Sequence, residues 1–236
     1  MYKVNFYKGD YSARQEAANK DRCVCYIEHH FNANEGKAGN YVVVILGNNA
    51  SDISKKWGRL YAQKIHDVFG VKVWGEDGGI LVGGYNGRGD GNIRDAHMPA
   101  ILVEPLFANN EEHASYIKSE PGQQKLAQVL VNTIREMFPN GGTVGFSVGH
   151  KYKTSKPNDR GTDVFGGGTE ADYAEKVLNK AKILLDESKP IDILKAQEIK
   201  VVLNDKLKLS IPMSSINKTS WKEDEKKLYI YGEEKK

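Results

Sequence analysis

Apolar residues in this chain fall into short unbroken runs separated by stretches of helical period. Residues 4–7 read as a strand closed by a Lys8-Gly9-Asp10 turn, and Ser12 is placed to cap a helix through residues 13–18. Residues 23–27 form a compact apolar strand that ends at Glu28-His29-His30. Residues 41–46, Tyr-Val-Val-Val-Ile-Leu, contain nothing charged, the mark of a strand buried on both faces. Over 52–69 the apolar positions Ile53, Trp57, Leu60, Tyr61, Ile65 and Val68 recur at helical spacing. Residues 100–103 are a further buried-type strand ending at Glu104, and a helix runs from about residue 123 to 137 after Pro121-Gly122.

Pro139-Asn140-Gly141-Gly142 breaks this series as a turn or linker. A new strand, 144–148, then ends at Gly149-His150, and Thr169 caps a helix from 170 to about 185. Strands alternating with helices predict an α/β fold, with a twisted, mostly parallel central sheet flanked by helices. After Pro190 the texture changes. Residues 199–203 and 228–231 look like short strands, Asn204-Asp205 a turn, and 232–236 a frayed end. This suggests a small β-rich segment, 188–236, which either binds a polymer or covers a sheet edge.

Composition narrows the setting. The 236 residues carry a net charge of +3, with both signs mixed along the chain. No concentrated basic stripe marks a nucleic-acid partner. No run of about 18 apolar residues exists, so no stable membrane insertion is expected. The first residues lack the apolar core of a signal peptide, which leaves work in the cytoplasm or exit by a route the chain does not encode. Cys23 and Cys25 lie one residue apart in a strand and so point to opposite faces; they read as buried thiols, not a disulfide. The Gly-rich stretch 75–91 lacks a Walker or dinucleotide pattern and reads as the rim of a site. Nothing in the sequence speaks to oligomeric state.

Three strand ends carry metal-type or acid–base residues: His30, Glu104 and His150. Sites in parallel sheets form at the carboxyl ends of strands. Glu170 opens the helix after the His150 strand and can reach the same edge. Two imidazoles and one carboxylate are a zinc set with an open position, and a second carboxylate can serve as general base. Each also has a plainer reading. A His at a strand end is often a surface group, and Glu170 suits a helix N-terminus. A carboxylate directly after Ile101-Leu102-Val103 is harder to explain without a site.

These residues sit in motifs that resemble the zinc-dependent N-acetylmuramoyl-L-alanine amidases of the type-3 family, found in autolysins and phage endolysins. Ser147-Val148-Gly149-His150 is similar to the family's opening Pro-Gly-His-Gly turn. Thr169-Glu170-Ala171-Asp172 resembles its Glu-Ala-Asp helix start, and Arg14 through Ala17-Ala18-Asn19 its Arg-x-x-x-Ala-Asn stretch. Glu28-His29-His30-Phe31-Asn32 aligns with Ser-Ile-His-Ala-Asn, with Glu28 in place of a small residue. Pro99-Ala100-Ile101-Leu102-Val103-Glu104 through Phe107 and Asn110 resembles the closing Pro-Ala-x-Leu-Val-Glu unit.

The order differs from the family's, because its opening unit lies here in the second half of the chain. The resemblance therefore implies a circular permutation: one catalytic domain, 1–187, equivalent to 143–187 followed by 1–139. It implies Zn2+ as cofactor, with His30, His150 and Glu170 as ligands and Glu104 as catalytic acid–base. His29 and Glu175 are alternative ligands. Asn32 and Arg94 are weaker candidates for substrate contact, and His97 and His113 read as rim or surface residues. The implied reaction is hydrolysis of the amide between N-acetylmuramic acid and L-alanine in bacterial peptidoglycan. The alternatives are a zinc peptidase acting on wall peptides and a non-catalytic wall-binding module. A phage endolysin in the host cytoplasm is the expected setting, with a cellular autolysin as the alternative.

Overall fold

The computed structural model describes residues 1–36 and 39–186, together with the backbone of four strands between 198 and 231. The chain divides into two compact units, Met1–Asp186 and Glu187–Lys236.

In the first unit the strands are β1 (Tyr2–Phe6), β2 (Cys25–His29), β3 (Tyr41–Leu46), β4 (Lys72–Val73), β5 (Ile80–Val82), β6 (Ala100–Glu104) and β7 (Gly142–Val148). They form one sheet in the order β1-β7-β2-β6-β3-β4, with β5 also paired to β3. The pairs β1/β7, β7/β2 and β2/β6 are parallel, and β6/β3 is antiparallel. The mostly parallel sheet expected from the sequence is therefore present, with β3 reversed against β6. The last strand of the unit lies between its first two. Glu28 stands opposite Ser147 and His29 opposite Val148, so β2 and β7 end side by side.

The helices are α1 (Tyr11–Lys20), α2 (Asp52–Phe69), α3 (Glu111–Lys118), α4 (Glu120–Met137) and α5 (Glu170–Asp186). α2 starts at Ser51, whose side chain accepts the Ser54 N–H, and ends at Gly70 in the left-handed conformation. The α1 cap is Asp10, not Ser12; the Asp10 carboxylate accepts instead from the Ser155 N–H and hydroxyl, tying α1 to the segment after β7. α3 has no counterpart in the apolar pattern. Its eight residues carry Glu111 and Glu112 in the first turn, and Asn110 caps it.

Alternation along the strands sorts the sheet into two faces. Cys25, Ile27, Val42, Val44, Ile101 and Val103 belong to the larger core, with Trp57 and Ile65 of α2, Leu130 of α4 and Val177 of α5. The other face is smaller and holds Tyr26, Ile45, Leu102 and Ala18 of α1. Glu28 and His30 share the parity of Tyr26, so they emerge on this thinner side. Both cysteines are free and buried. Among the described residues, no helix is long and apolar enough to cross a membrane.

The second unit contains two antiparallel pairs: β8 (Glu198–Leu203) with β9 (Lys206–Pro212), and β10 (Lys218–Lys222) with β11 (Lys227–Tyr231). The expected strands at 199–203 and 228–231 fall in β8 and β11. The turn at Asn204-Asp205 and the end at 232–236 lie outside the described residues.

Candidate active site

His30 follows the last residue of β2, and Gly149-His150 follow the last residue of β7. Glu170 is the first residue of α5, where Thr169 accepts the Asp172 N–H and donates to the Asp172 carboxylate. The three side chains converge, with one nitrogen or oxygen from each within 4.8 Å of the others. Glu170 Oε1 lies 2.9 Å from His30 Nδ1 and 3.5 Å from His150 Nε2. Ligands at about 2.0–2.1 Å from a tetrahedral ion stand roughly 3.3 Å apart, so this spacing and donor set fit a metal such as zinc. Both other ring nitrogens are occupied: His30 Nε2 faces Glu28 Oε1 at 2.8 Å, and His150 Nδ1 faces Asp159 Oδ1 at 3.0 Å. The remaining oxygen of Glu170 accepts the Thr162 N–H.

Two glycines make this convergence possible. A methyl group on Gly149 would meet the His30 ring at 2.5 Å. One on Gly161 would collide with the Glu170 carboxylate and the His150 ring, and Gly161 has φ +71°. His150 itself sits at φ +62°, uncommon for a non-glycine residue, and its ring lies 4.9 Å from that of His30.

Charge in the cluster is tightly coupled. Burial opposes a charge on His30, but its hydrogen bonds to the Glu170 and Glu28 carboxylates outweigh it and push the pKa up to about 10. Burial lowers the pKa of His150, offset in part by Glu170. Burial also works against ionised Glu28 and Glu170, yet bonding to His30 holds both below the ordinary carboxylate value. Lys153 donates to Asp159 at 2.8 Å and helps hold that carboxylate ionised against its burial.

Glu104, at the end of β6, lines the same cleft of about 610 Å³ as His30, His150 and Glu170. Its pKa is raised to about 7, first by burial, with His30 and Arg88 opposing and Glu170 reinforcing the shift. Its Oε2 is buried and has no hydrogen-bond partner among the described residues, and the same holds for Asn32 Nδ2. Both residues line the cleft, so an ionisable oxygen and an amide donor lie unspent in its wall.

A family model for N-acetylmuramoyl-L-alanine amidases matches residues 2–136. The chain belongs to this amidase family. Solved structures similar to it include an N-acetylmuramoyl-L-alanine amidase from Clostridium difficile 630, at 23% identity and TM-score 0.45 over 55% of this chain and 66% of that one. The catalytic domain of CwlV, an amidase from Bacillus (Paenibacillus) polymyxa var. colistinus, matches at 22% identity and TM-score 0.43, over 55% and 66%. Ami1 from Mycobacterium smegmatis matches at 20% identity and TM-score 0.47, over 55% and 61%. This chain spans less than two thirds of the length of each. A comparison with curated protein sequences finds no match.

The amidase-family match contains His30 and Glu104 but stops before His150 and Glu170. The sheet, not the sequence, brings the four together. Other candidates fall elsewhere. Arg94 is not among the residues lining the cleft; its guanidinium pairs with Asp90 and Asp95, and the arginine at the cleft wall is Arg88. Glu175 pairs with Lys151 and Tyr152. His29 points to the opposite face, its ring 5.0 Å from that of Phe31, and neither nitrogen has a partner among the described residues. His113 is a buried residue, not a rim one: Nδ1 accepts the Phe107 N–H and Nε2 faces Asn40. His97 is exposed.

Glu28, Arg88 and Asp159 carry parts of the site that the sequence reading missed. The two-residue spacing of Glu28 and His30 on one strand signals a shared face. Asp159 lies in a polar loop of no periodicity and gave no such signal.

Proposed function

We propose that this chain is a zinc-dependent peptidoglycan hydrolase that cuts the amide between N-acetylmuramic acid and L-alanine. The observation that carries the reading is the meeting of His30, His150, Glu170 and Glu104 in one cleft of an amidase-family chain. His30, through Nδ1, His150, through Nε2, and Glu170, through Oε1, would hold the zinc. Zinc, when bound, supplies a Lewis acid that polarises a carbonyl and acidifies water. Glu104 is the general base. Its buried, unpartnered oxygen takes a proton from the attacking water and returns it to the leaving L-alanine nitrogen. Asn32, whose unpartnered amide lies in the cleft wall, is the substrate-contacting residue in this reading. Arg88, not Arg94, is the cation available to a substrate carboxylate.

The permuted order is part of the same proposal. Arg135 near the end of α4 donates to the Leu184 carbonyl of α5, Tyr2 donates to the Phe138 carbonyl, and the Gly142 N–H donates to the Met1 carbonyl. The ends of α4 and α5 and the starts of β1 and β7 therefore gather in one place. Either pair can be joined without moving the sheet.

The test is release of stem peptides from purified cell walls. Dialysis against a chelator is expected to stop release and one equivalent of zinc to restore it. Unchanged release after metal removal, or a normal rate from Glu104→Ala, would overturn the proposal.

A further inference from the structure

Glu28 is fully buried beside the cluster, where an ionised carboxylate is unfavourable without close partners. Its partners are specific. Asn92 Nδ2 donates to Oε1 at 2.6 Å, the Ser147 hydroxyl donates to Oε2 at 3.3 Å, and the Arg14 guanidinium lies 3.6 Å from Oε2. Arg14 is itself fixed: it donates to the Gly9 carbonyl, to Ser147 Oγ and to the carbonyls of Val148 and Lys151, on either side of His150. The carboxylate is therefore held in place by groups belonging to α1, β7 and the 90–92 turn. Its contact with the proposed ligands is His30 Nε2, at 2.8 Å.

An ionised carboxylate only accepts hydrogen bonds, so the His30 nitrogen facing it must carry the proton. Nδ1 faces the Glu170 carboxylate at 2.9 Å and by the same rule carries a proton while no metal is bound; a metal there would displace that proton and leave Nε2–H to Glu28. We propose that Glu28 is a positioning residue that holds His30 in the Nε2–H tautomer and presents Nδ1 to the metal. Asp159 makes the mirror arrangement on His150, where Nδ1 is engaged and Nε2 faces Glu170. The two histidines thus offer opposite nitrogens. The inference rests on reading the cluster as a zinc site, and its test separates the two claims.

The zinc dissociation constant of the whole protein is measured by competition with a chromogenic chelator, for the unaltered chain and for Glu28→Gln and Glu28→Ala. Loss of a group that orients a metal-binding histidine costs about 10–100-fold in affinity. Glu28→Ala is expected in that range. Glu28→Gln, which keeps an acceptor oxygen, is expected to recover part of the loss. A residue serving only as the partner of Arg14 would lower the melting temperature of the metal-free protein and leave zinc affinity unchanged. Folded Glu28→Ala that binds zinc within twofold of the unaltered chain overturns the proposal. If Glu28→Ala does not fold, Glu28→Gln and long-range 1H–15N imidazole spectra of the unaltered, zinc-loaded protein decide. A proton on His30 Nε2 supports the proposal, and a proton on Nδ1 contradicts it. An unaltered chain that binds no zinc removes the metal-site reading, and this proposal with it. Normal zinc binding by the unaltered chain and by both variants removes the proposal alone.

Discussion

Glu104 shows how a residue's position in the sequence and its chemistry meet. A carboxylate placed directly after an apolar strand is legible as a site residue, because such a group is seldom buried without purpose. Burial does raise its pKa to about 7. In the proposed role Glu104 must be ionised, so activity is expected above that pKa and its loss is expected as pH falls through it. A bound cation moves the pKa down, which puts the acid limb of kcat/KM at or below about 7. A rate that climbs as pH drops below that value would contradict the role. Glu104→Gln is expected to lower kcat by about 10²–10⁴-fold with zinc content unchanged, read by stopped assay and metal analysis. Glu28 and Asp159 were not legible in the same way. Their role depends on which ring nitrogen each one meets, and that is set by side-chain direction across strands and loops far apart in sequence.

Periodicity located most elements but not their partners. The helix at 52–69 was readable because Trp57, Tyr61 and Ile65 repeat on one buried face and Ser51 and Gly70 mark its ends. The short α3 was not, since eight residues give barely two turns of pattern. The strand expected at 23–27 instead starts at Cys25 and runs on through Glu28 and His29, where β6 and β7 pair with it on both sides. That pairing is tertiary and leaves no local trace. The close approach of β7's end to β2's end depends on Gly149, where a Cβ would meet the His30 ring at 2.5 Å. Gly149→Ala is expected to cost about 1–3 kcal/mol of stability and to weaken zinc binding, by thermal melts and chelator competition. A fully stable variant with unchanged zinc affinity would show that the ring has room to retreat. In the core, Trp57 is fully buried and its indole N–H donates to Thr133 at 3.1 Å. Trp57→Ala is expected to lose about 3–5 kcal/mol by denaturant unfolding, without a direct effect on zinc coordination.

At the scale of the molecule, the site belongs to both halves of the first unit. β7 lies between β1 and β2, so residues 1–139 alone would leave β1 without a partner and β2 paired only to β6, and would lack His150 and Glu170. That fragment is expected neither to fold cooperatively nor to bind zinc. By contrast, a chain opened in the 139–142 turn, with Asp186 joined to Met1 by a short linker, should fold and bind zinc as the original does. These ends are already gathered by the Arg135–Leu184 and Tyr2–Phe138 hydrogen bonds. Circular dichroism and zinc titration of both proteins check this, and failure of the rejoined chain to fold would argue against the permutation. The order of motifs along the sequence is what prompts the permutation proposal, and the position of β7 between β1 and β2 is what supports it. The central claim, an amidase site assembled from both ends of this unit, is tested most directly by identifying the new amino termini released from purified peptidoglycan by the zinc-loaded protein. L-alanine termini, absent with Glu104→Gln, are the predicted result. Termini of any other residue, or none, would contradict the account.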